Sequence, residues 1–119
     1  MSGALAWCPF PDEDSAASAA EALLGEGLIA CANILPPMRS LYVWRGAREA
    51  ATETGVLFKT DLALLDKLVA RIPALHPYDE PAILGWACDR AAPATARWLG
   101  ELVASPEAQS GRDTEGGST

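Results

Sequence analysis

IACANILPPMRSLYVWRGAREAATETGVLFKT, residues 29–60, is the stretch on which the fold turns. Residues 29–35 and 38–44 are dense in Ile, Leu, Val, Tyr and Trp, side chains that suit a pleated, half-buried surface. Pro36 and Pro37 between them lack the N–H that a central ladder needs, so the two runs read as one long strand bent at a bulge. Arg45-Gly46-Ala47-Arg48 makes a polar turn, and Thr52, Thr54, Val56, Phe58 and Thr60 then alternate as an antiparallel returning strand does.

Working outward, the hairpin is flanked on each side by a helix and a further strand. Upstream, residues 3–8 form a short apolar strand that ends where Pro9 and Pro11 remove backbone donors. Asp12, Glu13 and Asp14 supply an N-cap and negative charge, and Ala16, Ala19, Ala20, Leu23 and Leu24 recur at helical spacing before Gly25 and Gly27. Downstream, Asp61 caps a second helix with Leu65, Leu68, Val69 and Ile72 on its buried face; Pro73 is expected to close it, because the residue before proline avoids helical torsions. Residues 82–88 read as a compact apolar strand, and Pro93 opens a short last helix that packs through Trp98, Leu99, Leu102 and Val103. The order β-α-β-β-α-β plus a helix is that of an α+β, ferredoxin-like sandwich. Right-handed crossovers put the first strand beside the last, with helices on one face of an antiparallel sheet.

The chain has 119 residues, half of them hydrophobic, enough for one core and no second domain. The boundary is expected after residue 103: residues 104–119 turn to Ser, Gly, Glu and Thr and predict a disordered C-terminal tail. A formal charge of -7, from nine basic and sixteen acidic side chains, opposes attraction to phosphate backbones and anionic lipid, so neither nucleic acid nor membrane is an expected partner. The N-terminus lacks the basic start and uninterrupted apolar run of a secretory signal, and no run is long enough to cross a bilayer. Cys8, Cys31 and Cys88 are odd in number and unpaired in spacing, which points to reduced thiols and a cytoplasmic protein.

His76 is the only histidine. In the loop before the last strand its imidazole serves either as a metal ligand or as a hydrogen-bonding group of the turn. Cys8 ends the first strand, and antiparallel neighbours bring that end close to His76. Sulfur and nitrogen donors suit copper or zinc, whereas magnesium and calcium take oxygen. Asp79 and Glu80 read as a solvated acidic pair, and Cys31 and Cys88 as small buried hydrophobes. Tyr42, Trp44, Tyr78, Trp86 and Trp98 suit an oligomer interface or a ligand pocket. An enzyme using His76 as general base, oriented by Asp79 or Glu80, lacks any accompanying nucleophile elbow, phosphate loop or metalloprotease helix; no enzymatic activity is expected.

Ala30-Cys31-Ala32-Asn33-Ile34, Ser40-Leu41-Tyr42, Trp44-Arg45-Gly46, Lys59-Thr60 and Leu75-His76-Pro77-Tyr78-Asp79-Glu80-Pro81 occur in unbroken order within residues 4–102. In these words the sequence resembles the CutA divalent-cation-tolerance family. It departs at Pro9 and Phe10, where the family usually has Thr and Ala, at Ala47 for a common Lys, and at Ala82 for a common Glu. The resemblance implies a homotrimer that binds copper or another divalent transition metal in metal-ion tolerance, with Cys8 and His76 matching the family's copper-binding Cys and His. Bacterial relatives can carry a second histidine where this chain has Leu75. The alternative is a trimeric small-molecule sensor or signalling scaffold like the PII proteins, which share the architecture.

Overall fold

A computed structural model describes residues 2–104, and the tail expected from residue 104 onward lies, beyond Ala104, outside the described residues. Strand β1 (Gly3–Phe10) leads into helix α1 (Glu13–Gly25), then come β2 (Cys31–Trp44), β3 (Ala47–Asp61), α2 (Leu65–Leu75), β4 (Leu84–Ala87) and α3 (Pro93–Gly100). The four strands form one sheet in the order β2-β3-β1-β4, with every pairing antiparallel. This is the ferredoxin-like arrangement, with β1 central between β3 and β4.

Local chemistry starts and stops the elements. Asp12 caps α1 by accepting from the Ser15 N–H at 2.8 Å. Asp61 accepts from the Ala63 N–H at 2.9 Å and caps a single 3-10 turn, Leu62–Leu64, that feeds α2. Pro73 does not close α2, which runs on to Leu75 with the proline inside its last turn. The stop comes from Pro77: His76 before it takes φ -98 and ψ 139, the extended torsions that a following proline imposes. At the hairpin, Arg45 and Gly46 have φ 51 and 80, the paired positive torsions of a two-residue turn whose twist matches the strands. The ladder shifts register between Ile34 and Pro37, so the prolines are absorbed in the expected bulge.

The core lies between the sheet and α1 and α2. Ala6, Cys8 and Phe10 of β1 and Val56 and Phe58 of β3 meet Ala16, Ala19, Ala20 and Leu23 of α1 and Leu68 and Ile72 of α2. Phe10 and Phe58 meet edge to face at 6.5 Å, an arrangement that adds about 1 kcal/mol to the burial of their area. A bidentate pair from Arg71 to Glu26, at 2.7 and 2.8 Å, ties α2 to the end of α1.

On the opposite pleat stand Leu5, Trp7 and Gly55, and the Trp7 indole lies where a Cβ on Gly55 would stand. Helix α3 sets Leu99 against Gly3 on the same pleat, so it does not join the helical layer of α1 and α2. Of its expected packing residues Leu99 is buried, whereas Trp98 and Val103 remain exposed. Strand β4 is shorter than residues 82–88, and its Leu84 and Trp86 are exposed because they project on the pleat that α1 and α2 do not cover. Beyond the last β1 pairing, Phe10 with Thr54, β2 and β3 continue as a ribbon of two strands to the turn. That arm contributes to principal extents of 50 × 29 × 23 Å.

Candidate functional site

The C-terminal end of β1 holds the chemistry. Cys8 and Phe10 point into the core and are fully buried, and Pro9 between them turns its carbonyl toward His76. The extended torsions at His76 return the chain over β1, and its ring stacks on Phe10 with centroids 4.2 Å apart and planes at 24°. His76 Nδ1 accepts the Tyr78 N–H at 3.1 Å, so the ring proton sits on Nε2, which donates to the Pro9 carbonyl at 2.8 Å. Burial lowers the imidazole pKa, against the opposing pull of the Pro9 hydrogen bond and the Glu53 charge.

The Cys8 Sγ lies 3.6 Å from the same Pro9 oxygen. Burial above all, with the charge of Glu53 beside it, pushes this thiol up to about 12. At neutral pH the two groups are therefore a neutral thiol and a neutral imidazole meeting at one acceptor. The structure thus places the expected neighbours, Cys8 and His76, at the same end of β1. Leu75 is half-buried and packs against the core, so the position where relatives can carry a second histidine contributes no donor.

Around this centre, Tyr78 stacks obliquely on His76 at 4.9 Å and donates its hydroxyl to Glu53 Oε2 at 3.0 Å. Burial and that carboxylate push the Tyr78 phenol up to about 12. Glu53 is the residue that local sequence reasoning missed. It lies on the pleat opposite Thr52 and Thr54, where an acidic side chain reads as solvated, and only the fold brings Tyr78 over it. Asp79 and Glu80 are exposed, and Glu80 pairs with Arg45 at 3.8 Å across the surface. Cys31 and Cys88 are half-buried free thiols, outside the main core cluster.

As a metal centre, the Cys8 and His76 pair has the donor types of a soft or borderline ion. Among the described residues no group of three or more His, Cys, Asp and Glu side chains stands close enough to hold one ion.

The fold and this site define a ferredoxin-like protein whose ionisable chemistry is gathered at the end of the central strand. The sequence pattern of the family described as CutA1 divalent ion tolerance protein matches residues 4–102, and the chain belongs to that family. A divalent-cation tolerance protein CutA of Pyrococcus horikoshii is 41% identical over 95 residues, covering 80% of this chain and 92% of the relative. Among solved structures, CutA1 of Ehrlichia chaffeensis superposes with a TM-score of 0.80 at 32% identity, over 87% of this chain and 97% of the other. A protein of Archaeoglobus fulgidus described as a periplasmic divalent cation tolerance protein superposes at 0.79 with 30% identity, over 85% and 98% of the two chains. These relatives are named for tolerance and not for a catalysed reaction. No helix among the described residues is long and apolar enough to cross a membrane.

Proposed function

We propose that this chain is a homotrimeric, copper-binding protein of metal-ion tolerance, without enzymatic activity, in which Cys8 and His76 supply the protein's sulfur and nitrogen donors. The observation that carries the reading is the convergence of Cys8 Sγ and His76 Nε2 on the Pro9 carbonyl oxygen, which keeps both donors within one small volume. In the resting state both are protonated, so uptake of an ion requires the thiol to lose its proton and Nε2 to give up its hydrogen bond. Copper or another borderline-to-soft divalent ion suits such a pair better than a hard, oxygen-seeking one.

Support for the trimer comes from surface that one subunit leaves open. The sheet ends in two edges, β2 and β4, and exposed edges invite pairing with another chain. Leu84 and Trp86 on β4 are 66% and 44% exposed beside Trp7 and Leu5, and Leu41 and Val43 on the arm are 70% and 67% exposed. Cyclic association of three copies covers edges and apolar side chains together. A cytoplasmic setting accords with three free cysteines, although a relative is described as periplasmic.

Calorimetric titration with Cu²⁺ tests the metal reading. Stoichiometric uptake by the native chain, sharply weakened in Cys8→Ser and in His76→Ala, is expected; unchanged titrations in both variants would remove these residues from the site. Sedimentation at low micromolar concentration tests the trimer, and a monomer or dimer there overturns it.

A further inference from the structure

Beside the metal centre, at the mouth of the hairpin arm, lies a cleft of about 690 Å³. Its size is that of a small-molecule site. Three aromatic side chains, Tyr42, Trp44 and Tyr78, line it together with Glu49, Glu53 and Asp79. Glu53 is only 9% exposed. Among the described residues its carboxylate accepts a hydrogen bond from the Tyr78 hydroxyl, and no basic side chain stands within ion-pair distance of it. A buried carboxylate without a counter-charge is costly, and one that lines an open cleft is a seat for a cation from solution.

The surroundings select the kind of cation. Glu49 stands directly across the ladder from Tyr42, and Asp79 and Glu80 reach the cleft from the loop after α2. The single basic residue of the lining, Arg45, is already engaged within it, by Glu80 at 3.8 Å and by the Trp44 ring at 5.4 Å. The negative field reaches the cleft wall: burial first, then the charge and hydrogen bond of Glu49 and the charge of Glu53, raise the Tyr42 pKa. A hard metal ion needs several oxygens converging on one point, and among the described residues no three acidic, Cys or His side chains converge so. Carboxylates spread along a cleft walled by aromatic faces fit an elongated ligand, with ammonium groups for the acids and methylenes for the rings.

We propose that this cleft binds a linear aliphatic polyamine, one ammonium group on Glu53, the methylene chain along Trp44 and Tyr42, and a second ammonium group at Asp79. The cleft adjoins the Cys8 and His76 donors through Pro9 and Tyr78, and polyamine binding in it needs no copper.

Spermidine titrated calorimetrically into the metal-free full-length protein, at constant ionic strength, is the test. Saturable binding is expected, weakened roughly thirty-fold or more in Glu53→Gln, as for removal of one member of a buried charge pair. Trp44→Ala is expected to weaken it about threefold to fourfold, the scale of about one methylene group left in water. Trp44 is 43% exposed, so that variant keeps the test decisive should Glu53→Gln fail to fold. Sedimentation of each variant checks that assembly is unchanged. Binding that does not saturate, that is equal in native and variant proteins, or that Mg²⁺ displaces one for one would overturn the proposal, the last in favour of a metal site.

Discussion

The Cys8 thiol and the His76 imidazole share a single acceptor, with Sγ at 3.6 Å and Nε2 at 2.8 Å from the Pro9 carbonyl oxygen. Pro9 has no N–H of its own, and its oxygen serves the site at the end of the ladder. Metal uptake at this pair must release the thiol proton and move the imidazole proton from Nε2 to Nδ1, at the cost of the bonds to Pro9 and from Tyr78. Copper binding is therefore expected to strengthen as pH rises from 6 to 8 and to release protons, seen as a buffer-dependent heat of binding. A pH-independent, buffer-independent heat would mean that the ion binds elsewhere.

The lowered pKa of His76 sets an acid limit on stability. Its ordinary value is 6.5, and burial holds the folded value below that, so between the two the unfolded chain binds a proton that the folded chain does not. Stability is then fully present above about 6.5 and falls as pH drops toward the folded pKa. Urea midpoints measured from pH 7.5 to 5 should show this slope in the native protein and lose much of it in His76→Gln. An unchanged slope in the variant would assign the acid sensitivity to carboxylates.

Thiol reactivity separates Cys8 from its two companions. The thiolate is the reactive form, and Cys8 is fully buried with its pKa pushed from 9.0 to about 12. Ellman's reagent at pH 8 should modify Cys31 and Cys88 first and reach Cys8 only on unfolding. Because the folded thiol keeps its proton where the unfolded one has lost it, stability also declines as pH rises above about 9. Rapid modification of Cys8 in the native state would contradict its place in the core.

Gly55 and Trp7 form a steric pair across the β1 and β3 ladder. A Cβ at Gly55 collides with the Trp7 ring, so Gly55→Ala is expected to cost about 1–3 kcal/mol, the usual range for overpacking. Trp7→Leu should relieve most of that cost in the double variant, leaving a coupling energy that a denaturation cycle measures directly. Additive effects would place the indole elsewhere.

The sequence made the fold legible because its punctuation was local. Proline pairs, the Arg45-Gly46 turn and the caps at Asp12 and Asp61 each act within a few residues of themselves. The misplaced end of α2 shows the limit of that reading. The rule about the residue before proline was right, but Pro73 sat where the last helical turn could absorb it and Pro77 did not. At the site, Cys8 and His76 could be named from donor chemistry and strand order. Glu53 could not, since its burial depends on a tyrosine 25 positions away that crosses the end of the sheet to reach it. The exposure of β4 and Trp98 was hidden for a related reason: apolar composition marks a side chain that leaves water, without saying whether its own subunit or another one covers it.

The arm of β2 and β3 beyond Thr54 is a cantilever, clamped where β1 ends and free of a third strand along residues 47–53. A ribbon of two strands holds itself together only marginally in water, so its amide hydrogens should exchange with solvent well before those of the clamped portion. The bulge between Ile34 and Pro37 sits near the clamp and interrupts the ladder there, which makes it the natural pivot for bending. One lip of the polyamine cleft rides on the arm and the other on the loop after α2, so a small swing at the pivot widens or narrows the gap between Trp44 and Asp79. Whatever docks against the arm thereby sets the working width of that cleft.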